Sequence, residues 1–346
     1  MEVPKYAQIA FVLVIVIVTI QFSVKYFNTE QNDSPEPQKM SQRMSVTSDR
    51  VLSITPSATL PIEDIVPNQK VKHSIPLAEI RQGCSRQDCI PSVDSPQFIS
   101  LDIALTKIDN KQIGIALSYK GEHRFYPFSM LVTKEIVNDV VAGDALLITY
   151  CPLCGTGIVF DRTINGLVYE FGVSGMLWQS NLLMYNRSDN IADRNLWSQV
   201  LGEAVVGDDT GAQLTIIASD IMQFSTWAER HPKGSVLDTG SQRDPYSGAY
   251  YEVAQRFAPD FDAETSPLTP DTYVYGIEVD GAFKAYPRHL LHEGTIRDMI
   301  NNDEIIITNN DGEVAFTTVA GVIINDVEGF WFSWVAAHPE TLLWNR

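Results

Sequence analysis

Beyond about residue 98 the chain alternates short apolar, β-like runs with turn signals. Ile113 to Tyr119 and Leu146 to Tyr150 are such runs, and glycine, asparagine and proline punctuate them. Short apolar runs with turn residues at the ends predict strands. Phe128 to Val140 and Phe224 to Arg230 place apolar residues at helical spacing instead and predict short helices. The expected body is α+β, mainly β, and occupies residues 76–346 as one globular domain.

The N-terminal pattern differs. Ala7 to Val24 is uncharged and apolar, with Lys5 and Lys25 at its edges. Its length suits the hydrocarbon core of a bilayer, and no small-residue cleavage site follows it. Residues 1–27 are therefore expected to form a transmembrane signal anchor, with the membrane as a partner through that helix. Residues 28–75, rich in Ser, Thr, Gln and Pro without an apolar period, read as a flexible tether.

An internal repeat organises the body. Residues 113–160 and 273–316 align at Gly121 with Gly281, Arg124 with Lys284, Tyr126-Pro127 with Tyr286-Pro287, Leu131 with Leu291 and Ile136 with Ile296. After a one-residue gap, Asp144 falls on Asp303 and Ile148-Thr149 on Ile307-Thr308. Each copy reads as strand, glycine turn, strand, Tyr-Pro, short helix, strand, and the two are expected to pack as pseudosymmetric halves.

Composition narrows the function classes. The chain is 45% hydrophobic, and its formal charge of −18 disfavours a phosphate-backbone partner, so nucleic acid is not expected. No phosphate-cradling loop, dinucleotide fingerprint, HExxH or CxxCH run occurs. Asp238-Thr239-Gly240 occurs once and lacks the flanking apolar strand of an aspartic protease.

The candidate chemistry centres on Cys151-Pro152-Leu153-Cys154, directly after an apolar strand. The second repeat places Asn309 to Gly312 at the equivalent turn, so the turn folds without thiols and the pair points to function. Two thiols at this spacing hold a soft ion, zinc or copper, with two further ligands from elsewhere. His289 and His292, expected on one helix face of the second repeat, and His338 are the candidate additional ligands. The same pair also suits thiol–disulfide redox chemistry, although no helix follows it to acidify a thiol. Met176 and Met184 are thioether candidates that core packing explains as well. A third reading is a non-catalytic binding module, with Ser174, Asn181, Arg187, Trp197, Gln199 and Arg243 lining a polar pocket. Four cysteines in two close pairs favour an oxidising, extracytoplasmic setting.

Several motifs together carry a family resemblance: Tyr-Cys-Pro-Leu-Cys-Gly-Thr at 150–156, Phe-Gly-Val-Ser-Gly at 171–175, Leu-Trp-Ser-Gln at 196–199, and His338-Pro339-Glu340-Thr341 before Trp344. With them the chain, from about Ile80 to its end, resembles a bacterial and archaeal family classed as a domain of unknown function. The resemblance implies one exported domain and no particular reaction. Where the family pattern reads His-Glu-Ile-Val-Asn-Asp, this chain has Lys134 before Glu135. The stretch around Cys84 and Cys89 resembles a family segment without cysteines, which makes these two an expected structural disulfide across a loop.

Overall fold

The computed structural model describes residues 71–240, 261–262 and 264–345. The architecture is mostly β, 47% strand and 15% helix, which corrects the α+β expectation. Among the described residues no helix is long and apolar enough to cross a membrane. The anchor expected at residues 1–27 lies outside the described residues.

The chain runs β1 (Ile80–Gln82), β2 (Phe98–Ser100), α1 (Leu101–Lys107), β3 (Ile113–Tyr119), β4 (Glu122–Pro127), α2 (Phe128–Lys134), β5 (Ile136–Val141), β6 (Asp144–Cys151) and β7 (Thr156–Asp161). A small hairpin, β8 (Thr163–Ile164) and β9 (Leu167–Val168), precedes β10 (Phe171–Trp178), β11 (Asn181–Asn186), β12 (Leu196–Ser198) and β13 (Glu203–Val206). Then come β14 (Thr215–Ile217), β15 (Asp220–Gln223), α3 (Phe224–Arg230) and β16 (Ser235–Leu237). The last part holds β17 (Tyr273–Val279), β18 (Ala282–Pro287), β19 (Gly294–Ile300), β20 (Asp303–Asn310), β21 (Glu313–Thr318), β22 (Ile323–Ile324), β23 (Asp326–Phe330), α4 (Trp331–Ala337) and β24 (Leu342–Leu343).

Strand pairing shows that the duplication is longer than the sequence match. In the first copy β15 pairs with β3, α3 follows, and β16 returns parallel to β4. In the second, β23 pairs with β17, α4 follows, and β24 returns parallel to β18. Register places Phe224 on Trp331, Trp227 on Trp334, His231 on His338 and Pro232 on Pro339. Between β7 and β14 the first copy carries an insertion, β8 to β13, whose last four strands join β1 in a five-stranded sheet.

The halves are interlocked. One sheet runs β24-β18-β17-β23-β7-β6-β5, so four strands of the second copy continue into three of the first through Glu328 opposite Gly157. Its pseudosymmetric counterpart sets β15 beside β21, where the Asp220 carboxylate accepts from the backbone N–H of Val314.

The helical pattern expected over Phe128 to Val140 holds only to Lys134. Glu135 takes a positive φ of 58°, closing α2, and Ile136 to Val141 then pair with β6. The β-branched residues Ile136, Val137, Val140 and Val141 gain more from a half-buried sheet than from a helix. In the second copy the expected helix shrinks to a single 3-10 turn, Arg288–Leu290.

A buried clamp recurs in both copies. The Asp139 carboxylate accepts from Arg124 Nη1 and the Tyr126 hydroxyl, each at 2.7 Å; Asp298 accepts from Tyr286 at 2.8 Å and pairs with Lys284 at 2.6 Å. The Tyr-Pro motif of the repeat thus marks where β4 and β18 are tied to the strands after them.

Candidate functional site

Cys151 and Cys154 occupy the β6–β7 turn. By register Cys151 corresponds to Asn310, and four residues, Pro152 to Gly155, replace the two-residue Asp311-Gly312 turn of the second copy. The thiol-bearing turn is therefore a local enlargement of a hairpin that closes more simply elsewhere in the same chain. Gly155 makes the enlargement feasible: its φ is +61°, and a Cβ there would lie 2.9 Å from the Tyr273 hydroxyl and 3.1 Å from the Phe330 ring.

The turn is clasped from two sides. Below it lies the β10–β11 hairpin, whose two turn residues Gln179 and Ser180 both adopt positive φ, 50° and 63°. That conformation brings the Ser180 carbonyl to 3.1 Å from Cys154 Sγ and 3.6 Å from Cys151 Sγ. Above it, Phe330 at the end of β23 donates its N–H to the Cys154 carbonyl at 2.8 Å. The two sulfurs are 3.1 Å apart, and both residues are buried in the cluster that includes Ile158, Trp197 and Phe330.

The surroundings hold the proton on Cys151. Burial, then contact with Cys154 and the nearby Glu135 carboxylate, push the Cys151 thiol well above the ordinary range, because an apolar setting penalises the thiolate. Glu135 is half-buried as a residue, yet its shielded carboxyl is pushed up to about 8 by burial alone. It stands at the strained end of α2 and its carbonyl accepts from the Tyr150 N–H, one residue before Cys151. Strained non-glycine backbone next to a titratable group is a frequent property of functional sites.

Gln199, an expected pocket residue, instead knits the turn to the inserted sheet. It donates to Thr149 Oγ1 at 3.1 Å and the Thr156 carbonyl at 3.0 Å, and accepts from Asn181 Nδ2 at 2.8 Å. Asn181 in turn accepts from the Val200 N–H. Trp197 is buried and donates to Asn186, and Ser174 bridges a β-bulge by donating to the Leu183 carbonyl and accepting from the Met176 N–H. Arg187 lies apart, joining Asp88, Asp94 and Ser92. Met176 and Met184 are core residues, and Arg243 lies outside the described residues. Asn181 and Gln199 thus form a buried hydrogen-bonded network beside the cysteine turn and Trp197 packs in the same core cluster, while Ser174 and Arg187 serve other places.

The histidines are not gathered at the thiols. His289 and His292 are exposed around a 3-10 turn, and His338 stacks on Phe283 at 3.9 Å. Among the described residues no group of three or more His, Cys, Asp or Glu is placed to hold a metal ion. Cys84 and Cys89 form a disulfide, and the loop they close lies over the Gly175 bulge, where the Cys84 N–H donates to the Gly175 carbonyl at 3.0 Å.

A family model described as a protein of unknown function, DUF3179, matches residues 87–323. The chain belongs to the DUF3179 family. No curated protein matches, and no solved structure does. The DUF3179 match takes in Glu135, both cysteines of the turn and Ser180, and ends before Phe330, so the upper clasp comes from outside the matched span. Nothing in the sequence marks Ser180, whose contribution is a main-chain oxygen, or Tyr273. The positive-φ Gln-Ser pair carries no glycine that would have announced a turn.

Proposed function

We propose that Cys151 and Cys154 are a buried dithiol that closes reversibly to a disulfide, making this a thiol–disulfide redox protein. The observation that supports the reading is the sulfur–sulfur distance of 3.1 Å under a shared carbonyl. Closure forms one S–S bond and releases two electrons and two protons. An external disulfide accepts them and leaves as two thiols. With the Cys151 thiol held protonated, attack by its own sulfur in the closed fold is slow, since the thiolate is the attacking species. The Cys84–Cys89 disulfide agrees with residence in an oxidising compartment.

A soft metal ion is the competing occupant. Two thiolates on one tetrahedral zinc stand roughly 3.8 Å apart, given Zn–S bonds of about 2.3 Å, so the turn would have to widen to accept it. Equilibrating the full chain in glutathione buffers of graded ratio, then alkylating it under denaturing conditions, gives the oxidised fraction by mass spectrometry. The expected result is one cooperative two-electron transition, absent in Cys151→Ser. Thiols that stay reduced at every ratio, or stoichiometric zinc or copper lost in Cys151→Ser, would overturn the redox reading.

A further inference from the structure

Remote from the cysteines, a cleft of about 400 Å³ opens between the β3–β4 turn and the end of α3, lined by Gly121, His123, Arg230, His231, Lys233 and Ser235 among others. In a chain of net charge −18, this is a concentration of basic side chains. The duplication supplies an internal comparison for it. By register His123, Arg230 and Lys233 correspond to Phe283, Ala337 and Glu340, while His231 corresponds to His338.

The comparison separates packing from chemistry. His231 and His338 end their helices alike, each donating its N–H to the preceding tryptophan's carbonyl, Trp227 or Trp334. Each is also covered by a stacked ring, His123 at 4.1 Å in one copy and Phe283 at 3.9 Å in the other. A phenyl ring therefore satisfies the fold at position 123. What the imidazole adds there is a polar edge, oriented by a 2.8 Å hydrogen bond between Ser118 Oγ and His123 Nδ1.

Two of the charges at the cleft are already balanced. Arg230 pairs with Glu313 at 2.7 Å and donates to the Asn310 and Asp311 carbonyls, forming a fixed wall across the two copies. Glu122 pairs with Arg124 at 2.8 Å. Lys233 and the two imidazoles remain as the groups that face an incoming ligand. The histidine rings lie 20° from parallel. A metal bonds close to the plane of each imidazole at about 2.0 Å from its nitrogen, so two planes about 4 Å apart do not converge on one ion. Neighbouring N–H donors beside an ammonium suit an oxyanion instead.

We infer that this cleft binds the oxyanion group of a small solute, phosphate or carboxylate, through His123, His231 and Lys233. Calorimetric titration of the full chain with inorganic phosphate, and separately with acetate, tests it, and the stronger of the two names the group. Saturable one-site binding is expected. Lys233→Glu and His123→Phe, the residues the second copy uses, should each weaken it about tenfold, or roughly 1.4 kcal/mol, with the far-UV spectrum unchanged. Lys233 is exposed, so its variant folds whatever the effect at position 123. No saturation by either anion up to about 10 mM, or binding equal in Lys233→Glu and the parent, overturns the inference.

Discussion

At the scale of single residues, the cysteine turn depends on one glycine. Gly155 combines a left-handed conformation with close neighbours on the far side, Tyr273 and Phe330. Gly121, in the β3–β4 turn, has φ +85° with open space around it. An alanine at either site pays the left-handed penalty of about 1–2 kcal/mol. At 155 it also overpacks, adding about 1–3 kcal/mol. Gly155→Ala should therefore lower the thermal midpoint clearly more than Gly121→Ala, measured side by side by calorimetry. Equal losses would mean that the second repeat does not press on the turn.

At the scale of elements, the repeated clamp between paired strands allows a graded expectation. The Asp139 side chain is 4% exposed and that of Asp298 is 17%. Both pairs are buried, and removing one member strands its partner, which costs about 3–5 kcal/mol. Asp139→Ala and Asp298→Ala should therefore each destabilise by several kcal/mol, as read from urea midpoints, with Asp139, the less exposed carboxylate, at the upper end. A loss of about 1 kcal/mol or less at either site would show that its pair is solvated. Much of this level was legible beforehand, because Tyr126-Pro127 and Tyr286-Pro287 sit at the clamp in both copies. The helices α3 and α4 escaped the repeat match because the β8–β13 insertion separates α3 from the start of its own copy. The end of α2 escaped because the apolar spacing of Ile136 to Val141 fits a helix as well as a strand, and pairing with β6 decides between them. At the site, the thiol pair was visible as a motif. The Ser180 carbonyl was not, since any residue supplies one.

At the scale of the whole molecule, the seam between the interlocked halves contains carboxyl groups that keep their protons. Burial, then the neighbouring Glu328 and Glu313, push Asp220 up to about 8. Burial likewise pushes Glu328 up to about 7, although Arg288 and the Ile221 N–H pull the other way, and Asp326 beside them is raised by burial and by Glu328. A carboxyl raised in the folded state holds a proton there that the unfolded chain has released at about pH 4. Between that pH and the folded values the native state binds more protons, so stability falls as pH rises through the window. Glu135 acts in the same direction. Asp94, held below the usual carboxylate range by Arg187, Ser92 and Asn138 against its own burial, acts oppositely and only in stronger acid. The thermal midpoint should therefore be highest near pH 5 and decline towards pH 8–9, roughly one unit beyond the two seam carboxyls. Asp220→Asn keeps an oxygen for the Val314 N–H but cannot ionise, and it should flatten the alkaline limb. A parent profile that stays level or rises from pH 5 to pH 8, or an Asp220→Asn profile as steep as the parent's, would show that these carboxyls ionise freely and that the seam admits water.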